Sequence, residues 1–559
     1  MLIEVAAVAV ALFCLRAGNM VISKILHRDS GPTRLRARYR SRRAIGAVVA
    51  GLGFIVAACV ATPTESPHGD RARLVLESVF QNIELRYAAA VTIRSVSLAG
   101  MKALSETDTL LEITDRPETV TLKYDERVLG VWPTPDENDH DEWAAIVANA
   151  LERARREAPK LREQDPELML AGFFRGGLAR LDRYTRYATP GQARNTRARR
   201  DGFGGLGVTI RYDSGETYVQ KVHEGTPAFK AGLKPGDHIT HVGSAPLSGL
   251  SQRAAVGLLR GPVHSRADLT IVRTGSTAAL KTGSTAALKI GIVRAHIILP
   301  TVTSVRDNGI LTIRISGFNQ GTSRSLGKVL SEAERETGDR LHGIVLDLRS
   351  NPGGLLDQAV AVADYFLNDG RIISTKGRHR RANQIFDASW GERVHKTPIV
   401  VLVNGRSASA SEIVAAALRD RGRAVVIGAS SFGKGSVQTI IRLPNGGELT
   451  LTWAHMIAPA GYNLQGHGVI PAICTSGTED KVAKIVEAIR HDGLAAGAVL
   501  EAALSSRYAI RTDPDLARER CPPSDQKRSE DTEIARYLLE HKSLYSRTLK
   551  DGGPAIAER

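Results

Sequence analysis

Three serines alternate with small residues in the run NGRSASASE, residues 404–412, directly before the apolar run IVAAAL. Ser409 and Glu412 are three positions apart, a spacing that favours a capping box at the start of a helix. A serine at such a corner also lies where free backbone N–H groups and the helix dipole stabilise a developing negative charge. The run therefore predicts a capping serine or a nucleophile, and it contains no histidine to act as the base.

A lysine stands between glycines in SFGKGSVQ, residues 431–438. The segment lacks the full pattern of a phosphate-binding loop, because Lys434 is followed by glycine. A lysine can activate a serine if burial lowers the pKa of its amine enough to leave the amine neutral. Gln438 lies four positions on, and if this segment is helical its amide shares a face with the amine and could orient it.

The whole stretch VNGRSASASEIVAAALRDRGRAVVIGASSFGKGSVQ resembles the catalytic signature of the C-terminal processing peptidases, the tail-specific serine proteases. In that family the nucleophile is the middle serine of the alternating run, and the lysine and the glutamine follow at fixed spacings. The resemblance therefore implies Ser409 as nucleophile, Lys434 as general base and Gln438 as the residue that orients the lysine.

Two further segments support the resemblance, LDLRSNPGGLLDQAV and APAGYNLQGHGVIPAI. NPGG on its own predicts a plain turn, whereas the resemblance implies an oxyanion hole formed by Gly353 or Gly354 together with Ala410. One departure is LDRYTRY, residues 181–187, where the family usually has proline in place of Arg183 and serine in place of Thr185. We expect this departure to alter the shape of a local loop away from the nucleophile.

Short β-rich segments and a single helix-like run between residues 202 and 274 resemble a PDZ domain. The resemblance depends on GLGV and on AGLKPGDHITHVGSAPL, in which Lys-Pro-Gly-Asp is strong turn chemistry. It implies that the backbone amides of GLGV bind the terminal carboxylate of a peptide that adds to the sheet as an extra strand. The residues of this predicted site are Gly205, Leu206, Gly207 and Val208.

The octapeptide TGSTAALK occurs twice in direct succession, at residues 274–281 and 282–289. One repetition is too little for a solenoid, which needs several longer units. We expect a tandem duplication in the exposed connection after the last strand of the PDZ-like region, where an insertion costs little.

Beyond the repeat, buried strand patterns alternate with helical patterns, which indicates an α/β core. The resemblance implies a crotonase/ClpP-like protease core of mixed sheet and packed helices, with an inserted β-rich PDZ domain and helical N- and C-terminal regions. The predicted divisions are 1–61 for targeting or anchoring, 62–201 for a mostly helical region, 202–275 for the PDZ domain, 276–475 for the protease core and 476–559 for a helical tail.

The 559 residues carry a formal charge of +16, and their apolar fraction of 42% is too high for a disordered chain. Eight of the basic residues lie between 24 and 43, directly before the uncharged apolar run 44–61. This is the pattern of an exported or membrane-anchored protein, whether the chain starts at Met1 or at Met20. We therefore expect an extracytoplasmic, periplasmic or cell-envelope location, and binding to nucleic acid is disfavoured.

The four cysteines are too few for a disulfide scaffold. Cys474 and Cys521 could pair in an oxidising compartment or remain as two unrelated thiols. The fifteen histidines are scattered without the spacing of metal ligands, so we predict no metal and no cofactor.

These features predict a serine endopeptidase that recognises protein C-terminal tails through its PDZ domain and cleaves near them. Its partners would be protein or peptide substrates with free C-termini and the membrane at the N-terminus. An adaptor and homo-oligomerisation remain open, and the resemblance implies only that relatives often form oligomers. Two alternatives stand beside this prediction: a non-catalytic extracytoplasmic PDZ scaffold that binds tails, and a basic surface protein that binds polyanions.

Overall fold

A computed structural model describes residues 67–273, 287–337, 341–389, 391–394, 397–477, 479–491 and 514–552. The predicted targeting region 1–61 lies outside these residues. None of the helices in the described ranges combines the length and the apolarity that a bilayer crossing requires.

The N-terminal region is a helical bundle that also carries a small antiparallel sheet, in the order β1-β2-β3. Phe80, Trp143, Phe173 and Phe174 are fully buried at its centre. The region is mostly helical, as the sequence predicts for residues 62–201, and the three short strands lie between its helices. The elements are α1 (Pro67–Arg86), α2 (Ile93–Leu104), β1 (Leu111–Asp115), β2 (Thr119–Tyr124), β3 (Arg127–Pro133), α3 (His140–Glu157), α4 (Pro159–Arg162), α5 (Pro166–Leu178), β4 (Arg186–Ala188) and α6 (Pro190–Arg200).

The PDZ-like domain follows α6 and is built on a sheet in the order β11-β10-β8-β7-β6, with β9 paired to β8. A small separate pairing joins β5 to β12. The elements are β5 (Phe203–Gly205), β6 (Val208–Asp213), β7 (Glu216–Val222), α7 (Pro227–Lys230), β8 (His238–Val242), β9 (Ala245–Pro246), α8 (Gln252–Leu259), β10 (Arg266–Val272), β11 (Ala287–Val293) and β12 (Ala295–Ile297).

The structure corrects the expected position of the duplicated octapeptide. The expectation of a duplication after the last strand of this domain is wrong, because β11 pairs antiparallel with β10 along its whole length, from Val272↔Ala287 to Arg266↔Val293. The duplication therefore lies within a hairpin of the sheet, and its last three residues begin β11. The predicted boundary at 275 remains a proposal, and a boundary after residue 293 would keep this sheet in one piece.

The central sheet has the order β13-β14-β15-β18-β19-β22, with β13 antiparallel and the others parallel. All residues of Ile399–Val403 are buried, as expected for a parallel strand covered on both faces. The helices α10 and α11 pack in the apolar cluster on one face, and α13, α15 and α16 contribute to the cluster on the other. The first of these elements are β13 (Val302–Asp307), β14 (Ile310–Ile315), α9 (Thr322–Thr337), β15 (Gly343–Asp347) and α10 (Leu356–Asp364).

A second sheet, in the order β17-β16-β21-β20, packs beside the central one. The short strand β4, from the N-terminal region, also pairs with β21. The elements that follow α10 are β16 (Arg371–Lys376), β17 (Gln384–Asp387), β18 (Ile399–Val403), α11 (Ala410–Asp420), β19 (Val425–Gly428), β20 (Ser436–Arg442), β21 (Glu448–Ile457), α12 (Leu464–His467) and β22 (Ile473–Cys474).

The C-terminal tail is helical in its described parts, as predicted, and Cys474 and Cys521 form a disulfide that ties the tail to the edge of the central sheet. The elements are α13 (Glu479–His491), α14 (Pro514–Arg520), α15 (Ser529–Glu540) and α16 (Lys542–Gly552). The division of the chain into five parts is otherwise unchanged and stays a prediction.

Candidate active site

Three loops meet at one edge of the central sheet. They follow the parallel strands β15, β18 and β19, which end at Asp347, Val403 and Gly428. The carboxyl ends of parallel strands lie at the same edge, so loops that are distant in sequence come together there. This edge therefore brings three segments together: NPGG, the alternating serines, and the loop around Lys434 that follows β19, which we call the lysine loop.

Ser409 is the N-cap residue of α11 and has a φ of +56°. A positive φ is uncommon for a residue with a side chain and marks a tight, strained corner between β18 and α11. The hydroxyl donates no hydrogen bond to the described residues, and Ser409 is 8% exposed. Its Oγ therefore lies available at the N-terminus of a helix, where backbone N–H groups lack partners within the helix.

The two flanking serines are fully buried and engaged. Ser407 Oγ donates to the carbonyl of Leu348 at 2.9 Å, and Ser411 Oγ donates to the carbonyl of Asn351 at 2.9 Å. Both acceptors belong to the loop that follows β15. The alternation of serines thus places two hydroxyls inward, where they join neighbouring loops, and leaves the middle one available.

Glu412 is fully buried and accepts four hydrogen bonds. One comes from the N–H of Ser409, at 2.7 Å, and three come from the lysine loop: Ser431 Oγ at 2.5 Å, Gly433 N at 2.6 Å and Lys434 N at 2.9 Å. Burial raises the pKa of this carboxyl, while these hydrogen bonds oppose the shift. One side chain therefore joins the backbone of the serine corner to that of the lysine loop.

Sequence reasoning identified Glu412 only as a capping partner and missed this role. The sequence did contain a signal for this role: Glu412 begins an apolar helix that is predicted to be buried. A buried carboxylate requires several hydrogen-bond donors.

The glycines beside Lys434 allow the loop to pack closely against the segment that precedes β22. A Cβ at Gly433, where φ is +85°, would lie 2.9 Å from the carbonyl oxygen of Gly466, and a Cβ at Gly435 would lie 2.0 Å from the N–H nitrogen of Gln465. The N–H of Gly435 also donates to Gln465 Oε1 at 3.1 Å. The segment APAGYNLQGHG therefore supports the lysine loop from behind.

The amine of Lys434 lies among charges and an aromatic ring. Burial and then the charge of Arg186 lower its pKa, while the carboxylates of Glu412 and Asp182 raise it. The Nζ atom lies 5.0 Å from the ring centroid of Tyr184. No hydrogen bond joins this amine to Ser409 Oγ within the described ranges, so the two groups share the site without being bonded.

The structure corrects the expectation that the departure in LDRYTRY, placed away from the nucleophile, alters only the shape of a local loop. Asp182, Tyr184 and Arg186 of this segment all act on the amine of Lys434. The guanidinium of Arg183, which replaces the usual proline, lies over the rings of Tyr184 and Phe432. The departure from the family pattern therefore lies beside the lysine, because β4 pairs with β21.

Gln438 lies on β20, so the helix on which its orienting role was conditional does not form after Lys434. Its Nε2 donates to Ser436 Oγ at 2.8 Å and to Thr452 Oγ1 at 3.4 Å, and no hydrogen bond joins it to Lys434 among the described residues. Ser436–Arg442 instead pairs with β21, so the spacing of four between Lys434 and Gln438 is not a helical spacing here.

The glycines of NPGG contact the serine corner in different ways. Gly353 has a φ of +94°, and a Cβ there would lie 2.9 Å from both Ser409 Cβ and the N–H nitrogen of Ala410. Its own N–H donates to Asn351 Oδ1 at 2.9 Å. Gly354 has a φ of +151°, and a Cβ there would lie 2.1 Å from the carbonyl oxygen of Phe318. Both positions therefore require glycine, and Gly353 is the one that touches the corner.

An open cleft of about 510 Å³ runs along β20 beside Gln438. β20 ends the order of the second sheet, so its outer edge is unpaired within the described residues. Apolar side chains line much of the cleft: Leu355, Leu356, Phe386, Val437, Ile440 and Trp453. An extended peptide could pair with this edge.

The predicted carboxylate-binding residues lie at the start of the PDZ-like sheet. Gly205 ends β5, Val208 begins β6, and Gly207 has a φ of +85° between them. Leu206 is buried in the domain core. β6 ends the sheet order, so in the described part of the chain the edge on which a peptide would add is open.

Comparison with known proteins gives consistent matches. Residues 309–475 match the family model described as "Peptidase family S41", and residues 204–283 match the model described as "PDZ domain". The chain is 39% identical over 342 residues to the carboxy-terminal-processing protease of Bartonella bacilliformis, covering 61% of this chain and 76% of that protein. It is 31% identical to the carboxy-terminal processing protease CtpA of Bacillus subtilis, covering 55% of this chain and 64% of that protein.

Among solved structures, the photosystem II D1 C-terminal processing protease is 25% identical with a TM-score of 0.34, and the match covers 68% of this chain and 92% of that one.

Proposed function

Since the chain belongs to peptidase family S41 and is a carboxy-terminal-processing serine peptidase, we propose that Ser409 is its nucleophile and Lys434 its general base. The observation that carries the proposal is the shared carboxylate of Glu412, which bonds the backbone of both residues. An available hydroxyl at a strained helix start then faces a loop whose lysine has a lowered pKa.

In the proposed reaction, Ser409 Oγ attacks the carbonyl carbon of the scissile peptide and Lys434 Nζ takes the hydroxyl proton. The C–N bond then breaks, and the same amine passes that proton to the leaving nitrogen. Water then attacks the acyl carbon while Lys434 Nζ takes its proton, and this proton passes to Ser409 Oγ as the ester bond breaks. The amine must leave the ring of Tyr184 to accept the proton, and the side-chain carbonyl of Gln438 is the group we assign to orient it.

The developing oxyanion needs backbone donors at the start of α11. Ala410 is the first residue of this helix, where an N–H has no partner within the helix. The second donor comes from NPGG. The N–H of Gly353 is bonded to Asn351, so Gly353 can donate only after a local shift, whereas Gly354 shows no such bond among the described residues.

The PDZ-like domain is proposed to select substrates by their C-termini, with Gly205, Leu206, Gly207 and Val208 around the terminal carboxylate. The open edge of β6 supports this assignment. We propose that the peptide then continues along the open edge of β20. Substrates would be proteins with free, extended tails.

Three finer assignments belong to the same proposal. The mixed sheet and its packed helices support a crotonase/ClpP-like core. The basic and apolar N-terminal sequence, together with the Cys474–Cys521 disulfide, supports an extracytoplasmic, membrane-attached protein. The proposal is compatible with an adaptor protein as a partner and with assembly of the chain into a homo-oligomer.

The test is digestion of a peptide with a free C-terminus by the full chain in detergent. Ser409→Ala and Lys434→Ala should each lower kcat/KM by several orders of magnitude. Amidation of the substrate C-terminus should raise KM. Undiminished cleavage by either variant would overturn the catalytic assignment, and binding of tails without cleavage by the unaltered chain would favour the scaffold alternative.

A further inference from the structure

Two basic helices meet where the N-terminal region joins the PDZ-like domain. Neither α6, with sequence PGQARNTRARR, nor α8, with sequence QRAAVGLL, contains an acidic residue. Nearby carboxylates are already occupied, because Glu448 pairs with Arg197 and Arg200, and Asp201 pairs with Arg200. Arginines therefore remain at both helices without an acidic partner among the described residues.

Four of these arginines form what we call the arginine seam: Arg194, Arg199, Arg253 and Arg260. At one end, Nη2 of Arg253 and Nη2 of Arg194 lie 3.1 and 3.9 Å from the point where a Cβ of Gly191 would be. At the other end, partial burial and the charge of Arg199 lower the pKa of Arg260. None of the four forms an ion pair within the described ranges, so like charges face each other uncompensated.

The seam lies beside the proposed tail-binding groove. The guanidinium carbon of Arg260 is 4.0 Å from the ring centroid of Phe203. That ring covers Gly205, since a Cβ there would lie 2.7 Å from Phe203 Cε2. The Arg199 and Arg260 end of the seam is therefore next to the loop that would hold the terminal carboxylate.

The distance between Arg253 and Arg260 determines which residues of a bound tail lie near the Arg194 and Arg253 end of the seam. Arg253 and Arg260 are seven residues apart, which is roughly 10 Å along a helix. An extended peptide covers that distance in about three residues. A tail with its carboxylate at GLGV would bring the side chains about three to four residues before its end close to Arg253 and Arg194.

We propose that the arginine seam is an electrostatic subsite for acidic substrate tails, in which Arg253 and Arg194 bind Asp or Glu side chains about three to four residues before the C-terminus. The proposal rests on tail recognition by the PDZ-like domain. Unpaired charges of one sign raise the local potential, so an acidic tail would gain affinity and a faster encounter.

The test uses the full chain carrying Ser409→Ala, which keeps peptides intact, and measures binding of labelled tails by fluorescence anisotropy. One tail has two glutamates at these positions and the other has two glutamines, with the same apolar C-terminal residue. The acidic tail should bind about 5- to 30-fold tighter at low salt, and the preference should fall at high salt.

The double variant Arg194→Gln/Arg253→Gln should reduce the preference to less than about twofold. The matched control is Arg266→Gln, which removes an exposed arginine of β10 that pairs with Asp268 in the same domain and should keep the full preference. Equal affinity of the two tails for the parent, or an unchanged preference in the double variant, would overturn the proposal.

Two further measurements separate the seam from carboxylate recognition and from a lipid surface. Amidated tails should bind weakly. If they bind as well as free tails, the proposed carboxylate recognition fails. A glutamate preference that is lost in the double variant would still support the seam in that case. Micelles doped with phosphatidylglycerol test a lipid surface. Binding to them that requires Arg194 and Arg253, combined with equal affinities for both tails, would assign the seam to lipid and overturn the proposal.

Discussion

The serine side and the lysine side of the active site are held by different parts of the molecule. The serine corner is fixed from within the core, since Ser407 and Ser411 are fully buried and bond the neighbouring loop. The lysine backbone is equally fixed, but its amine lies over the ring of Tyr184 and its pKa responds to the charges of Asp182 and Arg186, all from the N-terminal region. Hydrogen bonds within the core thus fix the position of the nucleophile, whereas the pKa of the base depends on a segment that is distant in sequence.

The largest effect should come from Glu412, because it belongs to both sides. In Glu412→Gln, the amide NH₂ would face N–H donors that now point to a carboxylate oxygen, and a buried donor left unsatisfied costs about 1–3 kcal/mol. We expect kcat/KM to fall about 100-fold or more and the free energy of unfolding to fall by several kcal/mol. Steady-state kinetics and urea denaturation measure the two effects.

The control for this variant is Glu392→Gln, which removes a half-buried partner of Arg423 away from the two loops. It should lower stability and leave kcat/KM of the folded protein within about threefold, since no catalytic backbone depends on it. If Glu412→Gln were folded and equally active, the two sides would not be coupled through this carboxylate.

Gly353→Ala should act on the serine side alone. The new methyl group would meet Ser409 Cβ and the N–H nitrogen of Ala410 at 2.9 Å, and the backbone there has a φ of +94°. Gly422→Ala, at the end of the same helix, has a φ of +63° with no described atom within 4 Å. It therefore isolates the cost of the backbone conformation, about 1 kcal/mol.

We expect Gly353→Ala to lower kcat at least about tenfold further than Gly422→Ala, measured on protein verified as folded by circular dichroism. Similar kcat values for the two variants would mean that the contact with the serine corner does not matter for the reaction.

Sequence patterns predicted the parts of this site that local chemistry determines. The continuous apolar run at residues 399–403 indicates a strand buried on both faces, and the serine run indicates the helix start that follows it. The charges around Lys434 were not predictable in this way. Asp182 and Arg186 lie far before the lysine in the sequence, and the pairing of β4 with β21, together with the hydrogen bonds of Asp182 and Thr185 to Thr452, brings them close.

The sequence left open whether a helix or a strand follows Lys434, for a related reason. A spacing of four residues suits one face of a helix and also one face of a strand, so Lys434 and Gln438 could not distinguish them. The long hairpin partner, β21, decided the outcome. Likewise, β11 was missed because its first residues belong to the duplicated octapeptide, which resembles a loop in composition.

Arg186→Gln and Asp182→Asn should shift the pH dependence on the lysine side in opposite directions. The charge of Arg186 lowers the pKa of Lys434, so its loss should raise that pKa and move the rise of kcat/KM to higher pH. The carboxylate of Asp182 raises the pKa, so its loss should move the rise to lower pH. Profiles of kcat/KM against pH measure both, and shifts of the same sign would contradict the electrostatic account.

The smallest effect on catalysis should come from Ser411→Ala, which tests whether a flanking serine is only structural. Its hydroxyl donates one buried hydrogen bond, to the carbonyl of Asn351, so its removal should lower the free energy of unfolding by about 1 kcal/mol. We expect kcat/KM to change less than about threefold, because the carbonyl of Asn351 also accepts the N–H of Ala408 at 3.0 Å and keeps the loops joined. A loss of activity as large as that of Ser409→Ala, on folded protein, would mean that the serine corner is held far less rigidly by its backbone than its hydrogen bonds indicate.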